Sequence, residues 1–240
     1  MARISKSQLT RLEIIQVATR MFLERGYTKT TTAAICGELE MSKGNLTFHY
    51  PTKEHLLAVL TDMLCKFQWK LMEVEANEGI SSVMAICLEL MSMASACEEN
   101  EVAKDFFIAT YSSPITLDII RKNDAERAKK VFADYCKNWT DEQFAGAEIL
   151  VSGIEYATLM TTDDTVPLDV RITGALNQIL TIYNVPEEIR KRKIKKVLET
   201  DYRGIGKRIL NEFIGYVEMV NEQAFEELLS TKIKRKKYGV

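Results

Sequence analysis

A chain of 240 residues is long enough to bury a sizeable core, as one large domain or two modest ones. With 46% apolar and 28% charged residues but only 11 Gly and 4 Pro, it reads as soluble, globular and helix-rich. The five cysteines are odd in number, widely spaced and without a C-x-x-C pair, which argues for reduced thiols in a cytosol, and no secretory signal or membrane-length apolar run is present. The expected location is cytoplasmic. A net charge of −2 decides nothing about partners, but its distribution is uneven. Residues 1–55 hold eight Lys/Arg against five acids, an excess of +3 that leaves −5 for the remainder.

Residues 1–10 read as a partly ordered basic arm. From Leu9 to Arg25, Leu12, Ile15, Ala18, Met21 and Phe22 recur at helical spacing, and Gly26 ends that helix. Thr30, Thr31 and Thr32 offer hydroxyls for a helix start, after which Ile35 and Leu39 fall four apart. Glu40 and Met41 form a turn, Ser42 caps a second short helix with Leu46 and Tyr50 inward, and Pro51 stops it. Two helices this short share one core. The outward residues of the second are Lys43, Asn45, Thr47 and Phe48, donor-rich with one aromatic and no acid, which suits a major groove.

A longer helix then runs from Thr52 to about Glu75 with no linker behind the head. A Met- and Cys-rich helix spans about 80–97, and another long one starts at Ser113-Pro114 and runs to about Lys137. Thr140 caps a helix over about 141–161, in which Ala145, Gly146, Ala147, Gly153 and Ala157 allow close approach of another helix. Residues 162–167 form a polar loop, 169–183 a helix, and Pro186 opens a basic one. Gly204 and Gly206 mark a break or kink before the last apolar stripe, and the basic end at 232–237 is expected to fray. No strand alternation or internal repeat is evident. The expected fold class is all-α, with a helix-turn-helix domain at 1–52 and a larger helical domain at 53–240.

The run GYTKTTTAAICGELEMSKGNLTFHYPTKEHLL resembles the N-terminal helix-turn-helix of the tetracycline-repressor (TetR) family of bacterial transcriptional regulators. The shared pattern is glycine, aromatic, threonines, a serine-lysine-glycine-x-leucine recognition helix and a proline-x-lysine-glutamate start. Two positions depart from it. The usual turn glycine is Glu40, so a residue with a side chain is expected to take positive φ, and the usual tyrosine after the recognition-helix leucine is Thr47.

The resemblance implies a ligand-responsive regulator, by default a repressor, that binds an operator in double-stranded DNA as a homodimer and is released by a small-molecule effector. Activation is the other possible sign of control. Lys43, Asn45, Thr47 and Phe48 would meet bases or backbone, and Thr31, His49 and Lys53 would lie near phosphates. A helix pair near 141–183 would form the dimer, with 187–240 adding to that interface or shielding it. A pocket among Phe67, Met91, Phe107, Tyr111, Phe132, Tyr135 and Tyr156 would take the effector, against the plainer reading of these residues as core.

The two histidines, His49 and His55, have no Cys or carboxylate at ligand spacing, so no metal and no cofactor is expected. No catalytic constellation stands out, Asp163-Asp164 lies in a polar loop, and the chain is not read as an enzyme. Redox sensing by cysteines competes with their role as small buried hydrophobes, and a DNA-touching basic tail with a solvated charge run. The competing function is an interaction protein whose helix-turn-helix binds a protein partner, separable by the salt dependence of duplex binding.

Overall fold

The computed structural model describes residues 6–77, 79–161 and 164–238, and every regular element among them is an α-helix. In the head, α1 (Lys6–Arg25) buries Ile14, Ala18, Met21 and Phe22 along one face. Two short helices, α2 (Thr32–Glu38) and α3 (Lys43–His49), close over it with Ile35 and Leu46 fully buried. Neither is long enough to be stable alone, so their helicity depends on this shared core and on their caps. Thr31 Oγ1 accepts from Ala34 N at 3.1 Å and Ser42 Oγ from Asn45 N at 3.2 Å, each worth about 1 kcal/mol. Residues 6–10, expected in the arm, are instead the first turns of α1, where Thr10 Oγ1 bonds the Lys6 carbonyl at 3.1 Å. Residues 1–5 of that arm lie outside the described residues.

Helix α4 (Lys53–Asn77) leaves the head and enters the body without interruption. The body continues through α5 (Ser82–Glu99), α6 (Glu101–Ser112), α7 (Pro114–Val131), α8 (Asp141–Met160), α9 (Leu168–Ile182), α10 (Glu187–Leu198) and α11 (Tyr202–Tyr238). Helix α5 is its centre, apolar nearly all round and packed by α4, α6, α8, α9, α10 and α11, as such a helix must be to leave water. Thr140 caps α8 as expected, and Gln143 completes a capping box with it.

Two expectations in the body are corrected. Helix α7 stops at Val131 rather than near Lys137, because Phe132 leaves the helical path to stack on Tyr183 with ring centroids 4.1 Å apart. The chain then winds back, and Cys136 Sγ donates to the Tyr183 carbonyl at 3.3 Å. Gly204 and Gly206 do not break a helix; both lie in the first turns of α11, and the interruption falls earlier, at 199–201. Gly206 is a close-approach residue. A Cβ there would stand 2.9 Å from the Ser92 carbonyl oxygen, so its absence lets α11 lie directly on α5. Beyond that contact α11 runs against α1, where Asn221 Nδ2 donates to Thr19 Oγ1 at 3.1 Å in a buried setting. The expected fray at 232–237 is helical in its backbone.

Candidate functional site

The outer face of α3 carries exposed Lys43 and Asn45, half-buried Thr47 and His49, and Phe48, which is 79% exposed. An aromatic ring left in water at the tip of a small domain is unexplained by folding, since burial would have been favourable by about 2 kcal/mol. His49 meets it edge-on at 5.2 Å. Thr47 Oγ1 is turned onto its own helix, donating to the Lys43 carbonyl at 3.0 Å and reaching Gly44 at 3.2 Å, so it offers an acceptor more readily than a donor. Thr31 faces solvent, while its hydroxyl caps α2.

Lys53 has a different placement from the rest. Its ammonium donates to the Tyr27 and Thr30 carbonyls at 3.0 and 3.1 Å and lies 3.9 Å from the Tyr27 ring centre. It ties the start of α4 to the loop before α2, and the desolvation this requires lowers its pKa. The turn between α2 and α3 holds Glu40 at φ 49°, the left-handed conformation expected of it.

The head is fixed to the body at that same loop. The Thr28 amide donates to Asp105 Oδ2 of α6 at 2.8 Å, and the Thr28 hydroxyl donates to Oδ1. Gly26, at φ +91°, is in a conformation that strains any residue with a side chain, and a Cβ there would also displace Asp105 Oδ2, which it would meet at 2.8 Å. Asp105 was not identifiable from sequence, where it is one acid in a charged helix.

The residues expected around a body pocket separate into two cavities and a remainder. Phe67 and Phe107 line a small apolar cavity of about 40 Å3 between α4, α5, α6 and α11, together with Leu64, Met93 and Phe213. Phe132 lines a second, also of about 40 Å3, whose wall is unexpectedly acidic: Glu89, Asp124, Glu148 and Glu155, with Arg127. Tyr111 joins that group through its hydroxyl, which donates to Glu155 Oε2 at 2.9 Å. Met91 is wholly buried core, and Tyr135 and Tyr156 are half-buried away from both linings. The signal for the missed carboxylates was present, as Glu89 interrupts the apolar run of α5 and Glu148 and Glu155 fall seven apart on α8, but only the packing shows which face turns inward.

All five cysteines are buried thiols, and burial holds Cys65, Cys87, Cys97 and Cys136 above their usual range, which leaves little thiolate. Among the described residues no group of His, Cys, Asp and Glu is arranged to hold a metal ion, and no helix is long and apolar enough to cross a membrane.

A three-helix head with a capped, acid-free and exposed second helix after a tight turn defines a helix-turn-helix DNA-binding protein. Residues 14–60 match the model of the bacterial regulatory proteins of the tetR family. Over 68 residues the chain is 41% identical to the HTH-type transcriptional regulator QacR of Staphylococcus aureus, a match that covers 27% of this chain and 36% of that protein. The TetR-family protein CprB of Streptomyces coelicolor A3(2) is 20% identical over 87% of this chain and all of its own, with a TM-score of 0.41. The TetR regulator TylP of Streptomyces fradiae is 16% identical over 87% of this chain and 99% of its own, with a TM-score of 0.45. The head, over residues 14–60, is thus a DNA-binding domain of the kind found in the bacterial regulatory proteins of the tetR family.

Proposed function

We propose that this regulator is a repressor that binds a double-stranded operator as a homodimer and releases it when a small molecule occupies the body. The observation that carries the reading is the face of α3, where Lys43, Asn45 and the 79%-exposed Phe48 stand together with no acid in the helix. Lys43 serves a phosphate or base edge, Asn45 a base, and Phe48 an apolar contact such as a thymine methyl, while Thr31, Thr47 and His49 flank them. Lys53 acts here as the brace that sets the angle of α2.

One head reads too few base pairs for high specificity, and a two-fold dimer supplies the second half-site. The dimer face we assign is the outer side of α8 and α9. Gly146, Ile149, Leu150, Gly153, Ala157 and Met160 recur at helical spacing and are exposed, and Val170 and Gly174 continue the strip on α9. A Cβ at Gly146, Gly153 or Gly174 would meet nothing within 4 Å, so these glycines serve no contact inside the chain. An exposed strip of this composition suits a second copy of the same helix pair.

Release is a linkage between sites. Helix α4 holds the head through Lys53 and lines the apolar cavity through Leu64 and Phe67, about 20 Å further along. A ligand that fits the cavity better when α4 is displaced lowers operator affinity by that difference in its own affinity.

The test is fluorescence anisotropy on duplexes from the upstream region of the gene and on scrambled duplexes, over a salt series. Sequence-selective binding is expected, weakened by Lys43→Ala with the magnitude of the log–log salt slope reduced by about 1 per head. A folded dimer that shows no preference for any duplex would transfer the head to a protein partner.

A further inference from the structure

Two cationic stretches, the first turns of α1 and the last turns of α11, lie far apart in sequence, and the course of α11 brings them to one end of the molecule. Helix α11 lies on Ser92 of α5 at Gly206, then passes Phe67 of α4 and Phe106 of α6 with Phe213, whose ring centroid is 5.6 and 6.0 Å from theirs. Asp105, next to Phe106, holds the loop at Thr28, so Phe213 stands near the C-terminal end of α1. Further along, Asn221 reaches Thr19, and residues 214–222 face residues 16–24 across a groove. The two helices are therefore antiparallel, and α11 continues toward the start of α1.

Its backbone is helical to Tyr238. At 1.5 Å per residue the path from Asn221 to Lys236 covers about 22 Å and that from Thr19 back to Lys6 about 20 Å, so the two cationic stretches come level. The last turns of α11 carry Lys232, Lys234, Arg235, Lys236 and Lys237, with no acid from 228 onward. At about 100° per residue these five positions lie round the whole circumference of the helix. The register that buries Phe213 and Val217 and half-buries Val220 and Ala224 has by then arrived at Arg235, so no apolar side remains. The attraction of a helix C-terminus for cations falls off within the last turn and leaves Lys232 and Lys234 unaccounted for. The start of α1 adds exposed Lys6 and Arg11, again with no acid from 6 to 12. Arg11 also fixes where this end lies, since its Nε donates at 3.0 Å to the hydroxyl of Tyr50, the residue that closes α3. Like charges gathered here repel one another, and a polyanion relieves that repulsion.

We propose that the last turns of α11 are a second DNA-contacting surface, which grips duplex phosphates beside the groove that α3 enters. This rests on the operator reading above and adds to it a contact from the helix most distant in sequence. Phosphates are the part of a duplex that fits, because a base edge needs donors held in fixed register, whereas cations all round a helix meet a line of phosphates at any rotation. The surface therefore supplies affinity and not sequence choice.

The experiment is fluorescence anisotropy of the full-length protein on a duplex from the upstream region of the gene and on its scrambled counterpart, over a salt series. Wild type is compared with a variant carrying Lys232→Gln, Lys234→Gln, Arg235→Gln, Lys236→Gln and Lys237→Gln together, and with one carrying Lys232→Arg, Lys234→Arg, Lys236→Arg and Lys237→Arg. Neutralisation should weaken both duplexes by the same factor, about tenfold or more, and make the log–log salt slope shallower by about 2 or more per dimer. The preference for one duplex over the other should not change, and the arginine variant should match wild type. A chain ending at Thr231 is the second variant, should the neutralised one not fold. An unchanged slope overturns the proposal, whether binding is kept, which leaves the cations solvated, or weakened, which makes this end of α11 structural. Wild type that binds both duplexes alike removes the operator reading, and the slope difference still decides this one; folded wild type that binds neither overturns both.

Discussion

Glu40 and Lys53 show how single residues set the shape of the head. Glu40 sits at φ 49°, a conformation that costs a residue with a side chain about 1–2 kcal/mol over glycine, of which glycine returns part through its freer unfolded chain. Glu40→Gly should therefore stabilise the protein by about 0.5–1 kcal/mol, a rise of a few degrees in melting temperature, with operator affinity unchanged. A fall in melting temperature would mean that the Glu40 side chain makes up the strain elsewhere. Lys53 separates two roles that sequence cannot. The resemblance of the motif places it near phosphates, yet its ammonium is held by the Tyr27 and Thr30 carbonyls. Lys53→Ala should lower stability by about 1–3 kcal/mol, as expected for charge-assisted hydrogen bonds, and leave the salt slope of duplex binding unaltered, the reverse of Lys43→Ala. The head was legible because its caps, its turn and its inward residues are all local. The partner of Lys53 was not, because it depends on where the loop 26–30 folds back.

At the scale of elements, one of the contacts that join head and body is the end of a single side chain. Asp105 of α6 takes the Thr28 amide and hydroxyl, while Lys53 holds the neighbouring carbonyls from α4, so the loop between α1 and α2 is gripped by two helices that also wall the apolar cavity. Asp105→Ala should leave folding nearly intact, at a cost of about 1 kcal/mol, and weaken the response of duplex binding to an occupant of the body more than duplex binding itself. Anisotropy titrations with and without that occupant read both numbers, and equal effects on the two would remove α6 from the coupling. Helix order and most boundaries were readable from periodicity and caps, as with Ser42, Thr140 and Pro114. The failures were tertiary. Gly206 looked like a break because glycine signals one locally, and its reason for being there is a carbonyl of α5. The carboxylates of the second cavity were hidden in the same way, since an acid in an amphipathic helix is exposed or buried according to its neighbours.

For the whole molecule, the buried acids make stability depend on pH in a fixed direction. In the unfolded chain Glu148 and Asp124 ionise near pH 4, whereas in the folded body burial keeps them protonated up to about 8 and about 6. Unfolding thus releases protons between these limits, so the contribution of each group is whole below about pH 4 and is lost as pH rises through its folded value, at on the order of 1 kcal/mol per pH unit. The difference in melting temperature between wild type and Glu148→Gln, measured from pH 5 to pH 8, should widen steadily in favour of the variant. Assembly is tested at the other face of α8. Within one chain a side chain at Gly153 meets nothing within 4 Å, and replacing a helical glycine by leucine favours the helix by somewhat under 1 kcal/mol. A monomer would therefore be stabilised by Gly153→Leu. If a second copy packs its own α8 and α9 there, the same substitution pushes the two helix pairs apart, and the dimer should dissociate at concentrations where the wild type is intact. Sedimentation velocity distinguishes the two results, and Leu150→Arg, which places a charge on a residue 60% exposed in the single chain, should act in the same direction. Loss of the dimer should cost operator affinity by at least tenfold, because each head then reads its half-site alone.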